Sequence, residues 1–356
     1  MMKKTKVPTY QSKSAIYMAD SCQPVREAVA KGSISLVNLA HGHYPGELLP
    51  KDVLPGLLTV GHWDAKVSQD WGLDWHRNEG LELTFLRSGT MDFMTQNVSK
   101  KLVPNDMTFC TPWQLHRVGN PYIDAGILQC VQIDLNIRNE VHQWSWPQWI
   151  ILTEDDRNEL TRLLLYNQIP ICSADSKMIQ CWEQLYRAVQ DNCRFSHISN
   201  ITILINEILL LLLGHLRKPK GSAEQDFRSA LSPSFRVVQN FLDELKNVPS
   251  QLEYPWSVSQ MAKMCNLSES RFTKCCHQLT NLTPVNYLNQ CRVDHAIQIM
   301  RSQPEKTITA IALDCGFSTS QYFATVFRKI TGVSPKEFSH SLKTDKTDNP
   351  NQMPDM

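Results

Sequence analysis

Gln321, Thr325 and Arg328 fall on one side of a helix-period stretch, and Ser270, Thr273, Lys274 and His277 fall on one side of another, about fifty residues upstream. Stepping about 100° per residue from Tyr322 puts Tyr322, Phe323, Val326, Phe327 and Ile330 in one apolar arc. Gln321, Ala324, Thr325 and Arg328 lie opposite, with Ser320 at the start of the same stretch. In the upstream stretch Phe272, Cys275, Cys276 and Leu279 form the apolar arc, and Arg271 and Gln278 flank the polar side. The polar sets are donors and hydroxyls of a size suited to base edges and phosphate oxygens. An ordinary solvated helix face uses the same residue types, and that reading stays open.

The elements that must position these side chains occur twice. Residues 257–265, SVSQMAKMC, align with residues 307–315, TITAIALDC, at an offset of fifty. Ala262 then matches Ala312, Cys265 matches Cys315, Asn266 matches Gly316 and Ser268 matches Ser318. One extra residue shifts the offset to fifty-one, so that Phe272 matches Phe323, Thr280 matches Thr331 and Pro284 matches Pro335. Each copy reads as a short helix, a turn and a second helix. The small alanine sits where two helices would cross closely. Asn or Gly takes the left-handed position after the first helix, and a Ser or Thr caps the second. That is the plan of a helix-turn-helix, although many helical hairpins share it. Between the copies, TPVNYLNQCRVDHAIQIMRSQ has helical periodicity. About twenty helical residues reach roughly 30 Å, enough to hold two reading helices about one DNA turn apart.

The surrounding composition sets limits. The chain has 356 residues and a formal net charge of +1, so no global field steers it to nucleic acid or membrane. Residues 232–343 nevertheless hold twelve Lys and Arg against eight Asp and Glu, while the preceding residues hold twenty-three against twenty-four. Eleven cysteines with no CxxC pair argue against a disulfide framework or a zinc finger. The basic N-terminus lacks an apolar signal core, which points to a reducing cytoplasm. The run ISNITILINEILLLLLGHL at 198–216 is the most apolar segment, but Asn200, Asn206, Glu207 and His215 interrupt it. It reads as a buried or partner-packed helix rather than a membrane span.

Residues 33–137 read as short strands punctuated by turns, among them LELTFLRSG, TMDFMTQ, KLVPNDMTFCTP and GILQCVQIDL. From Glu154 to Leu216 the period becomes helical. Within the strand-rich part Trp63, Trp71, Trp75 and His76 cluster with Asp64, Asp70, Asp74 and Glu79. Aromatic faces beside carboxylates suit a polyhydroxylated ligand, and mouths of small barrels are common ligand sites. Core tryptophans would give the same pattern.

Residues 234–341 resemble the DNA-binding domain of the AraC/XylS family of bacterial transcription regulators. IALDCGFSTSQYFATVFRKITGVSPKEF follows that family's signature segment, and RVDHAIQIM resembles the start of its linking helix, with Arg292 at a common basic position. The first copy departs: Cys276 and His277 replace a Phe and a basic residue, and Asn281 a Gly. The resemblance implies an α+β chain. Residues 1–153 would be a cupin-like β-barrel binding an effector, 154–216 dimerisation helices, 217–233 a linker, 234–341 an all-α domain with two helix-turn-helix units, and 342–356 a disordered tail. It implies double-stranded DNA, a small polar effector (a carbohydrate derivative among the options), a second copy of the chain and RNA polymerase as partners, with activation the usual mode and no membrane. DNA contacts are expected from Ser270, Arg271, Thr273, Lys274, His277, Arg292, Ser320, Gln321, Thr325 and Arg328, and effector contacts from Trp63, Trp75, His76, Asn78, Glu82 and His116. A metal cupin would set His76, a histidine at position 78, Glu82 and His116 around one ion. Asn78 is a poor ligand and Trp113 stands where a turn glycine is common, so neither metal nor cofactor is expected. The alternative is a metal-dependent cupin enzyme fused to a DNA-binding domain. A methyl-accepting repair regulator would need a four-cysteine cluster and a PCHR motif, and neither is present.

Overall fold

The computed structural model describes residues 7–13, 15–167, 169–191, 197–218 and 233–344. Of the expected tail 342–356, residues 342–344 are helical and 345–356 lie outside the described residues, as do residues 219–232 of the expected linker 217–233. The chain divides into two compact units, Met1–Leu231 with Gln278–Asn281, and Ser232–His277 with Leu282–Met356.

The N-terminal unit contains two main sheets. In chain order its elements are β1 (Thr9–Gln11), β2 (Ile16–Met18), α1 (Gln23–Ala30), β3 (Ser35–Ala40), β4 (Glu47–Leu48), β5 (Leu57–Ala65), β6 (Leu73–His76), β7 (Leu81–Gly89), β8 (Met91–Thr95), β9 (Ser99–Leu102), β10 (Asp106–Cys110), β11 (His116–Val118), β12 (Gly126–Ile133), α2 (Glu154–Tyr166), β13 (Ile171–Ser173), α3 (Ser176–Gln190) and α4 (Ile198–Leu216). Seven strands run in the order β13-β10-β7-β12-β5-β3-β4, and four in the order β6-β11-β8-β9. The expected barrel is thus two sheets, with no closed barrel among the described residues.

Period-two alternation explains how the larger sheet is covered on both faces. Along β7, Leu81, Leu83 and Phe85 join a core with Trp182, Leu185, Ile205 and Leu209 of α3 and α4. Leu86, on the opposite face, joins a second core with Met91, Phe93 and Val118 of the smaller sheet. Phe85 stacks on Trp182 at 5.5 Å between ring centroids. The segment 154–216, expected to supply dimerisation helices, shares the main core of the sheet. It also contributes β13, which pairs with β10. In α4, Ile201, Leu204, Ile205, Ile208, Leu209, Leu212 and Leu213 are buried. The helix is long and apolar enough to cross a membrane by length and composition, but that apolar face lies in this core.

The C-terminal unit is helical: α5 (Pro233–Asn247), α6 (Pro249–Glu253), α7 (Val258–Met264), α8 (Glu269–Thr280), α9 (Pro284–Ser302), α10 (Ile308–Asp314), α11 (Ser320–Thr331) and α12 (Pro335–Thr344). The long helix α9 packs on α5 and α6 on one side and on α10 and α11 on the other, the bridging role its period predicts. Its start is fixed by Pro284 in the first turn and by Thr283, whose hydroxyl accepts from Asn286 N.

Candidate functional site

The two helix-turn-helix units share the hydrogen bonds of their turns and of their second helix caps. Ser257 caps α7 in a capping box with Gln260, and Thr307 caps α10 by accepting from Ala310 N. Leu267 N donates to the Ala262 carbonyl at 2.9 Å, and Phe317 N donates to the Ala312 carbonyl at 3.0 Å. Asn266 (φ 52°) and Gly316 (φ 79°) are both left-handed, as the alignment requires. Gly316 has an added reason to lack a side chain, because a Cβ there would overlap the Leu252 carbonyl oxygen. Arg271 N donates to Ser268 Oγ at 3.3 Å, and Tyr322 N donates to Thr319 Oγ1 at 3.1 Å. The second cap is thus Thr319, the alternative to Ser318.

These bonds orient two amphipathic helices. In α8, Phe272, Cys275, Cys276 and Leu279 are buried, and in α11 Phe323, Val326 and Phe327. Ser270, Arg271, Lys274, His277, Gln321, Thr325 and Arg328 are exposed, while Thr273 and Ser320 are half-buried. Thr325 donates its hydroxyl proton to the Gln321 carbonyl at 3.1 Å, which leaves the oxygen lone pairs able to accept.

Two assignments from the sequence change. Tyr322, expected in the buried arc, is 45% exposed, and its hydroxyl accepts from Asn289 Nδ2 at 3.1 Å. Arg292, expected to contact DNA, is buried. Its Nε donates to the Leu252 carbonyl at 3.0 Å and its Nη2 to the Tyr254 carbonyl at 2.8 Å. The guanidinium ties α9 to the end of α6 and is spent on the fold.

The second constellation lies between the sheets of the N-terminal unit. Glu82 on β7 and Cys110 on β10 are cross-strand partners, as are His76 on β6 and His116 on β11. His116 Nε2 stands 2.8 Å from Glu82 Oε2, and the two imidazole rings lie 4.2 Å apart. Glu82, Cys110 and His116 place one donor atom each within 4.8 Å of the others. Gln132 Nε2 donates to Glu82 Oε1 at 2.7 Å. Burial pushes the Glu82 carboxyl up, but the charge of the nearby His116 leads the causes that outweigh it and hold the pKa at about 2. Burial pulls His116 down, and Cys110 and Glu82 more than reverse this, leaving it well above the ordinary imidazole value. His76 is lowered to about 4 by burial and then by His116.

A cavity of about 70 Å³ opens beside these groups, lined among others by Trp63, His76, Asn78, Glu82 and Cys130. Of the expected effector residues, His116 touches this set, while Trp75 is 42% exposed and does not line the cavity. Trp113 takes the left-handed backbone (φ 65°) that a turn glycine would, fixed by Nε1 donating to the Ile137 carbonyl at 2.7 Å. Glu79 is buried and accepts from the Tyr44 hydroxyl at 2.7 Å. Cys110 was not singled out from the sequence. Its signal is only the strand alternation that puts it opposite Glu82.

The duplicated scaffold with exposed donor faces defines a helix-turn-helix DNA-binding domain. A helix-turn-helix domain family model matches residues 261–341. The HTH-type transcriptional activator RhaR of Escherichia coli is 31% identical over 103 residues, 29% of this chain and 36% of that protein. The chain thus matches about a third of the length of these curated relatives. Among solved structures, a transcriptional regulator with an AraC-type DNA-binding domain from Chromobacterium violaceum is 26% identical, covering 29% of this chain and 93% of that one, with a TM-score of 0.27. ToxT from Vibrio cholerae O395 is 13% identical over 78% of this chain and 96% of that one, with a TM-score of 0.27. Residues 261–341 are thus similar to a helix-turn-helix domain found in transcription regulators.

Proposed function

We propose that this chain is a sequence-specific DNA-binding activator of transcription that works in the cytoplasm as a homodimer under a small polar effector. The observation that carries the reading is the pair of turns with matching hydrogen bonds that present unlike outer faces. Ser270, Arg271, Thr273, Lys274 and His277 form one face, and Ser320, Gln321, Thr325 and Arg328 the other. One scaffold with two faces reads two different half-sites, so each protomer's site is asymmetric. The nineteen residues of α9 span roughly 28 Å at 1.5 Å each, close to one helical turn of DNA. Activation by contact with RNA polymerase is supported by the curated relatives' being activators.

Effector binding belongs to the N-terminal unit. The inner cavity of about 70 Å³ is well under the ~300–1,000 Å³ of pockets for drug-sized ligands. It suits a ligand of a few atoms. A carbohydrate derivative fits better in the open cleft of about 510 Å³ bordered by Arg26, Asn38, Glu47 and Gln190. Dimerisation through α4 is supported by its outer stripe, where Ile203 and Leu210 are 60% and 51% exposed and Glu207 and Gly214 share their side. The spacing of four, three and four residues is that of a helix–helix seam. Effector binding then shifts the balance between arrangements of the dimer.

Selecting bound fragments from a genomic DNA library with the full chain, followed by footprinting, tests the proposal. The expected result is a recurrent site with two unlike half-sites about one turn apart. Uniform, sequence-independent retention of fragments contradicts it.

A further inference from the structure

Glu82, Cys110 and His116 meet between the two sheets of the N-terminal unit. His116 Nδ1 lies 3.0 Å from the Gln114 carbonyl oxygen. A carbonyl can only accept, so Nδ1 carries the proton and Nε2 is the nitrogen left to bind something else. Nε2 is buried and has no hydrogen-bond partner. Glu82 Oε2 is only 2.8 Å away, but the ring N–H direction does not run along that line. Cys110 Sγ completes a triangle of donor atoms within 4.8 Å.

We propose that Glu82, Cys110 and His116 form a three-ligand site for a borderline-soft divalent cation, with zinc as the best fit and a fourth position open to the cavity. The donor set decides the metal. Thiolate and imidazole favour zinc, or cobalt as its spectroscopic substitute, over magnesium, calcium or manganese, which prefer oxygen. The geometry is also close. Bonds of about 2.0–2.3 Å at tetrahedral angles put neighbouring donors roughly 3.3–3.8 Å apart. The His116–Glu82 pair needs to open by only about half an ångström. Backbone pairing holds all three ligands, because Glu82 and Cys110 are cross-strand neighbours on one sheet and His116 sits in register on the other. Gln132, donating to Glu82 Oε1 at 2.7 Å, leaves Oε2 for the ion. Asn78, where the sequence suggested a missing ligand, is not needed because Cys110 supplies the third donor. Binding releases the protons that the thiol and any imidazolium hold.

The inference stands apart from the DNA and effector readings, since it concerns binding of the metal alone. The test uses the full chain, stripped with chelator and titrated with cobalt(II) chloride. The expected signal is a one-to-one rise of a thiolate-to-cobalt charge-transfer band in the near ultraviolet, with intense visible bands of a four-coordinate ion. Zinc should displace the cobalt and raise the melting temperature. Cys110→Ser should abolish the charge-transfer band, while Cys130→Ser, which alters a cavity thiol outside the triangle, should keep it. Glu82→Gln should keep the band and weaken binding at least tenfold, which tests the site even if the cysteine variant fails to fold. The proposal is overturned if wild type shows no stoichiometric band, if the band survives Cys110→Ser, or if Glu82→Gln binds as tightly as wild type. None of these outcomes bears on operator binding, which is measured separately.

Discussion

Arg292 Nε donates to the Leu252 carbonyl oxygen at 3.0 Å, and a Cβ on Gly316 would overlap that same oxygen. One backbone carbonyl thus joins the bridging helix α9, the end of α6 and the turn of the second helix-turn-helix. Arg292→Ala leaves a buried acceptor unpaired, at a cost of about 1–3 kcal/mol. Gly316→Ala adds backbone strain to overlap, and its cost is at least about 1–3 kcal/mol. Thermal or urea unfolding of the C-terminal unit should show both losses. A wild-type melt for Arg292→Ala would return that residue to the DNA-contact set.

The outer faces should behave in the opposite way. Arg328→Ala and Lys274→Ala leave the melt unchanged because both side chains are exposed. Each weakens operator binding, by about 1–3 kcal/mol where the contact is to a base edge. A residue that contacts only phosphate should instead lower the slope of log affinity against log salt by about one. Titration by fluorescence anisotropy across salt concentrations separates the two.

The stripe on α4 gives a third prediction. Ile203→Glu with Leu210→Glu changes two exposed side chains and no core contact. The double variant should stay folded and shift from dimer to monomer in sedimentation. A dimer unaffected by both charges would place the subunit contact elsewhere.

His62 supplies a pH signature. It is buried on β5, its ring 4.1 Å from that of Tyr186, and its Nδ1 has no partner. Burial is the main cause lowering its pKa to about 4; Arg87 also lowers it, and Asp64 opposes them. The folded value lies below the unfolded one of 6.5. The unfolded chain therefore takes up the proton first as pH falls, and stability is lost between pH 6.5 and about 4. The loss from this residue is at most about 3 kcal/mol. His76 adds to the same window. Glu82 acts lower, from its ordinary 4.5 down to about 2. His62→Phe should flatten the melting temperature against pH between 6.5 and 4.5. An unchanged slope would mean that His62 is solvated.

Much of the C-terminal unit was legible because its signals are local. Alanine, left-handed residue, cap and arc recur within twenty residues, and the structure reproduces each one, the arc except at Tyr322. The arc misplaced Tyr322 because helical angle alone ignores how far a core reaches. Tyr322 lies in the first turn of α11, where its ring meets Phe317 edge-on and its hydroxyl reaches Asn289 while nearly half of it stays exposed. Arg292 misled for a different reason: its partners lie 38 and 40 residues away, and no helical angle shows a side chain folding back onto them. In the N-terminal unit the strands were visible, but the pairing was not. Cys110 is 28 residues from Glu82 in sequence and directly opposite it in the sheet. A register irregularity between β6 and β11 lets Leu73 and His76 both reach the cavity, which leaves Trp75 outside. Simple alternation cannot foresee that.

In the proposed function one protomer reads two unlike half-sites with α8 and α11. The most direct measurement is a base-by-base affinity scan of the selected operator with wild type, Lys274→Ala and Arg328→Ala. Each variant should relax preference over one half-site only, with the two affected patches about one turn of DNA apart. Two variants that lose the same positions, or lose none, would contradict the claim.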